Sequence, residues 1–244
     1  MNRASCKRRG KYYNEFMART VFRYIISSVL VGILVFGTRR ILNPTQIHAR
    51  TIPSDVIQGV LVGIALAFIT LIAIGNAHIT KINGWTTMYR CGEPDNGLLK
   101  RAACNVIFLG PVNIPQEAMY WTTSKDGSGR TLNGQHNYII HFPPGGLPPN
   151  HAFWSLTMGD AKNRFVANQI KRYSVSDRSG LVPNADGSMD IYIQATTPAG
   201  HESNWLPAPS GNFSLWLRAY LPGESVLNGE YIVPPVFKVP GGRA

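Results

Sequence analysis

Hydrophobic residues along this chain follow two different rules. Val56–Thr80 is a run of 25 residues without Lys, Arg, Asp or Glu. At the helical rise it would reach roughly 37 Å, enough to cross a bilayer core of about 30 Å. A shorter apolar run, Tyr24–Thr38, is bracketed by Arg23 and Arg39. It can span as well if those arginines snorkel to the interfaces. The pattern predicts two membrane helices, about 24–38 and 56–80, forming an anchor over residues 24–80. A cleaved leader is disfavoured, because no small-residue cleavage site follows the first run and the second is too long for one. Gly59, Gly63 and Ala67 recur every fourth residue, which places three small side chains on one helix face. Ser28 and Gly32 offer a matching face on the first span, so the two can pair as a hairpin; a second copy or a partner subunit is the other candidate.

From residue 81 onward the period changes. Asp95-Asn96-Gly97 precedes Leu98, Leu99, Ala102, Ala103, Val106 and Ile107, and Gly110-Pro111 follows, the start and stop of one short amphipathic helix. After it apolar residues alternate. Tyr138, Ile140 and Phe142 form one such set, Met189, Ile191 and Ile193 a second, and Phe213, Leu215 and Leu217 a third. Asp126-Gly127, Asn133-Gly134, Asp186-Gly187 and Asn228-Gly229 mark turns, and Pro143–Pro149 breaks one strand from the next. Short strands with regular turns predict a mainly β domain over 81–244, an antiparallel β-sandwich or jelly roll.

Charge locates rather than classifies. The chain has 24 Lys/Arg and 13 Asp/Glu, a net of +11. Residues 1–80 hold ten of the cations against Glu15 and Asp55, whereas 81–244 net only +3. Cations gathered about apolar spans suit lipid headgroups, whereas a nucleic-acid reader would carry a basic stripe on its folded domain, so no nucleic acid is expected. The tail 1–23 is basic and by the positive-inside rule cytoplasmic. Arg39, Arg40 and Arg50 between the spans pull the other way. If the second span sets orientation, the folded domain is exported, which gives a multi-pass protein of a bacterial inner membrane with its β domain in the periplasm. Cys91 and Cys104 can then form one bridge, or remain ordinary thiols.

The middle of the chain also carries a run of signatures. In order they are Glu117 to Tyr138, Phe142–Pro149, Ala152–Met158, Asn168, Arg172–Ser174, Asp177-Arg178, Asn184–Ser188, Ile191–Gln194, Asn204–Pro209 and Phe213–Tyr220. Together they resemble the bacterial domain of unknown function 1214 family over roughly residues 84–238. The resemblance implies a β-rich, jelly-roll-like domain, often exported or membrane-anchored. It also implies a companion domain numbered 1254, in the same chain or a neighbouring one; nothing in this sequence resembles that companion, so a separate partner chain is expected.

No motif dictates chemistry. His136 and His141 lie five apart on a strand and face opposite ways, so no metal site is expected. The alternating oxygens of Asn184, Asp186, Ser188 and Asp190 read as a hairpin turn rather than a calcium loop. GxSxG, HExxH and GxxxxGK[ST] do not occur. The weak catalytic candidates are His141, Asp160 and Arg172, joined only through folding. The binding candidates are Trp154, Arg172, Tyr173, Asp177, Asn204, Trp205 and Arg218, whose simpler role is to pin loops. No cofactor is expected. The sequence therefore predicts a membrane-anchored accessory or binding subunit, in contact with the bilayer and with a partner chain or further copies through the membrane helices, and more plausibly not an enzyme. A hydrolase or carbohydrate-active enzyme using Asp160, His141 and Arg172 is the alternative.

Overall fold

The computed structural model describes residues 26, 27, 29–34, 52–108 and 112–243. The basic tail 1–23 and most of the loop between the expected spans lie outside the described residues. The chain divides into two compact units, one from Met1–Ala77 with Pro94–Val112 and the other from His78–Glu93 with Asn113–Ala244.

The first unit is helical. α1 runs Ile52–His78, and its Val56–His78 stretch is long and apolar enough to cross a membrane. It ends earlier than the expected 80, because Thr80 already begins a strand. Of the shorter expected span, residues 26, 27 and 29–34 are helical and the remainder is outside the described set, so two crossings are not established. Along α1, Gly59, Gly63, Ala67, Leu71 and Gly75 are buried, while Leu61, Leu66, Phe68, Ile69 and Ile72 are exposed. The buried stripe has its neighbours in this unit. A Cβ on Gly32 would run into the carbonyl oxygen of Gly59, and one on Gly75 would stand 2.6 Å from Cγ1 of Ile107. Only glycine permits such approaches. The predicted amphipathic helix, α2 (Leu98–Ile107), lays Leu99, Ala102, Ala103 and Val106 against Leu71 and Ile74. Cys104 on α2 is fully buried and disulfide-bonded.

The second unit is two sheets around one core. Its described residues hold β1 (Thr80–Ile82), β2 (Trp85–Thr87), β3 (Ala118–Thr123), β4 (His136–Phe142), β5 (Asn150–Asp160), β6 (Ser174–Ser176), β7 (Met189–Gln194), β8 (Trp205–Pro207), β9 (Phe213–Pro222) and β10 (Val236–Arg243). One sheet has the order β1-β2-β3-β9-β5-β6 and the other β10-β4-β7-β8. The three alternating runs point as expected: Tyr138, Ile140, Phe142, Ile191, Ile193, Phe213, Leu215 and Leu217 are all buried in the shared core, and Met189, half-buried, packs against it. The expectation of a wholly antiparallel sandwich needs one correction. β8 runs parallel to β7, pairing Tyr192 with Trp205 and Ile193 with Leu206. It reaches that register through a connection containing a short 3-10 turn, Glu202–Asn204. A one-turn helix, α3 (Glu224–Leu227), buries Val226 in the core after β9. Cys91, in this unit, is also disulfide-bonded, so neither cysteine is a free thiol.

Candidate functional site

The polar residues singled out in the sequence lie largely on loops, and four of those loops share one construction. In each, a residue accepts from the N–H three positions on, at a residue of positive φ, and is tied to the residue four positions on. Asp126 pairs this way with Gly129 and Arg130, and Asp160 with Asn163 and Arg164. Asn168 does so with Lys171 and Arg172, and Asn184 with Gly187 and Ser188. A type I turn followed by a left-handed residue gives this geometry, which is why Gly or Asn suits the fourth place.

Asp160 is thereby occupied. Its Oδ1 accepts the backbone N–H groups of Lys162 and Arg164, and its Oδ2 accepts from the Arg164 guanidinium at 2.8–2.9 Å. The backbone N–H of Arg164, then its side chain, hold the carboxyl at a pKa of about 2. Asp126 is the buried counterpart: burial pushes its carboxyl up, but bonds from Arg130 and Ser128 outweigh that and hold it below the usual range. Both groups are depressed in the folded state, so the stability they contribute is full above the unfolded carboxyl value and is lost as pH falls. For Asp160 the window runs from 3.8 down to about 2. Asp160→Asn should therefore be less stable than the wild type above pH 3.8 and converge on it as pH falls to about 2, which flattens the acid limb of the unfolding curve in that interval. A pH series of unfolding midpoints checks this; an unchanged acid limb would contradict it.

A second group of candidates does meet. Arg172 donates through Nη1 to the carbonyls of Glu202 and Trp205, at 2.8 and 2.9 Å, and to that of Ser203. Asn204, 4% exposed, accepts the Val182 N–H through Oδ1 and donates through Nδ2 to the carbonyls of Val182 and Asp190. Trp205 buries its indole and donates Nε1 to the Gln194 carbonyl at 2.8 Å. The Asp190 side chain accepts from Asn184 on one oxygen and meets His141 Nδ1 at 2.7 Å on the other, across the β4–β7 pair. Arg172, Asn204, Trp205 and His141 thus lie along one network that joins the 161–173 loop, the 177–188 loop and the edge strand β8.

The remaining candidates lie elsewhere. Trp154 is a core residue, its ring centroid 5.9 Å from that of Phe142. Arg218 lies on β9 of the six-stranded sheet, bonded to Thr157 Oγ1, with its guanidinium 5.6 Å from the Trp216 ring. Tyr173 is exposed against Phe165, and Asp177 is exposed in the turn after β6. Among the described residues no hydrogen bond or ion pair joins His141 to Asp160 or to Arg172. Sequence reasoning missed Asn163, whose Oδ1 accepts from Ser214 Oγ and Trp216 Nε1. It also missed Asp190 as the partner of His141. The second was within reach, since the two strands place these residues opposite each other once the register is fixed.

Chemically, an imidazole oriented by a carboxylate can take up or release a proton. No serine, threonine or cysteine side chain is bonded to His141 among the described residues. Most other polar groups in the network serve main-chain partners.

The arrangement can be compared with known proteins. Residues 117–224 match the model of a family described as protein of unknown function (DUF1214). The segment belongs to the DUF1214 family. It covers less than half of the chain, from the residue before β3 to the start of α3, and so contains the whole polar network. No curated protein matches the chain. Among solved structures, the VPA0106 protein from Vibrio parahaemolyticus is 24% identical with a TM-score of 0.57, over 76% of this chain and 45% of that one. An uncharacterized protein from Burkholderia cenocepacia is 17% identical with a TM-score of 0.41, over 78% and 46%. The first likeness concerns the fold alone. The chain spans less than half the length of either solved protein.

Proposed function

We propose that this chain is a membrane-anchored β-sandwich that acts as a binding or accessory subunit of a bacterial envelope complex, without a catalytic centre of its own. The observation that carries the reading is α1: an uncharged helical stretch from Val56 to His78 whose Leu, Ile and Phe side chains face outward on every side but the small-residue stripe. Water solvates such a surface poorly, whereas lipid accommodates it. Two disulfide-bonded cysteines suit an oxidising compartment and support a periplasmic sandwich on an inner-membrane anchor. The stripe through Gly59, Gly63 and Ala67 is approached by the chain's own residue 32, so a partner chain or second copy would meet other faces of α1. The hydrolase alternative is less well supported, because Asp160, His141 and Arg172 each have other partners.

The test is extraction of the full chain from bacterial membranes. It should stay in the pellet through an alkaline carbonate wash and leave only with detergent. Leu61→Arg with Ile69→Arg should release it, since each arginine at mid-span costs about 3 kcal/mol. Release of the unaltered chain by carbonate would overturn the anchor. A detergent-purified monomer that cleaves an ester or glycan, and stops doing so in His141→Ala, would overturn the accessory role.

A further inference from the structure

The 160–182 segment stands apart in two respects. It carries Lys162, Arg164, Lys171, Arg172 and Arg178 against Asp160 and Asp177, a net of +3 that equals the whole excess of residues 81–244; the rest of that region balances. It also leaves large apolar side chains in water: Phe165 is 74% exposed, Val182 60%, Ile170 48% and Tyr173 38%. Packing does not explain them, because the same segment buries Val175 on β6 and tucks Leu181 against the core. The loops are held together, Phe165 against Tyr173 with ring centroids 5.8 Å apart, and Arg172 and Val182 both bonded to the 202–205 turn. Arg164 is engaged by Asp160, Arg172 by main-chain carbonyls and Arg178 by the Ala152 carbonyl and the Phe153 ring, which leaves Lys162 and Lys171 exposed beside the apolar tip.

Resting on the membrane-anchored reading above, we propose that this loop edge docks on an anionic lipid surface, Phe165, Ile170 and Val182 entering the headgroup layer and Lys162 and Lys171 meeting lipid phosphates. Charge complementarity chooses the occupant. Lysines flanking aromatic and aliphatic tips match a negatively charged interface, where apolar burial and headgroup attraction add. Tyr173 has the amphipathic ring that settles at that depth. An anchored chain also presents its loops to lipid at a high effective concentration, so weak contacts suffice.

The amides of residues 165–170 make no hydrogen bond among the described residues, so their exchange reports directly on coverage. The experiment is hydrogen exchange on the full chain reconstituted in vesicles of phosphatidylcholine alone or with phosphatidylglycerol. Retention of the chain by neutral vesicles through an alkaline wash reads the anchor by itself. In anionic vesicles the 165–170 amides should exchange at least about fivefold slower than in neutral ones, roughly the effect of one lysine at such a surface. Raised salt should shrink the difference. Lys162→Gln with Lys171→Gln, or Phe165→Ser with Ile170→Ser, should abolish it, and unchanged unfolding midpoints would show these exposed variants folded. Equal exchange in both lipids overturns the proposal while leaving the anchor standing. Protection in neutral vesicles on adding polyglutamate, with none from anionic lipid, also overturns it and assigns the edge to an acidic protein. If the chain is washed off neutral vesicles the anchor reading fails, and exchange of the chain added to preformed anionic vesicles still decides the docking.

Discussion

Asn204→Leu is expected to destabilise the β-sandwich by about 3–5 kcal/mol, because it removes three hydrogen bonds at one buried point and leaves main-chain groups of Val182 and Asp190 unpaired. The side chain is nearly isosteric, so lost packing contributes little. Asn204→Asp should not rescue it: a carboxylate still accepts the Val182 N–H but brings oxygen against two carbonyls that need donors. Denaturant midpoints of the full chain in detergent measure both. If Asn204 instead served a bound ligand, the leucine variant would unfold like the wild type. That outcome would return the residue to the list of binding groups.

Trp154→Ala should cost a similar amount, about 3–5 kcal/mol, for a different reason. Its ring is 2% exposed and faces Phe142 across the core, so truncation removes apolar burial and opens a cavity that β-sheet backbones cannot close. Trp154→Phe should restore about half of the loss by refilling part of that volume. Thermal unfolding followed by circular dichroism checks the pair. Full stability in the alanine variant would contradict the core assignment and revive Trp154 as a docking surface.

Neither residue's role was fully legible in the sequence, although much around them was. Period-two alternation is a local property, and in β4, β7 and β9 it identified the core-facing positions, although Gln194 and Ser214 on the other face are buried too. The apolar helix was legible for the same reason, from length and lack of charge. The parallel β7–β8 pair was not, because three residues, Trp205–Pro207, are too few to show a period, and direction depends on the turn that delivers them. Trp154 could be read as a ligand platform because an indole on a strand looks alike on either face of a sandwich. Arg172 and Asn204 were recognised as loop-pinning candidates, yet their partners were invisible: the carbonyls of Glu202 and Trp205 lie thirty or more residues from Arg172. Asp160 illustrates the opposite case. Its partners are two and four residues away, so the role was written locally in Asp160-Ala161-Lys162-Asn163-Arg164 and simply lacked a named motif.

The four turns built on that five-residue plan bear on how quickly the chain finds its shape. Sandwich topologies fold slowly, in milliseconds to seconds, because distant strands must meet before they are rewarded. A hairpin closed by its own aspartate or asparagine can form in about 1–10 μs without waiting for them. The approaches to β6 and β7 are thus shaped early, so that a nascent chain has its bends set before its sheets exist.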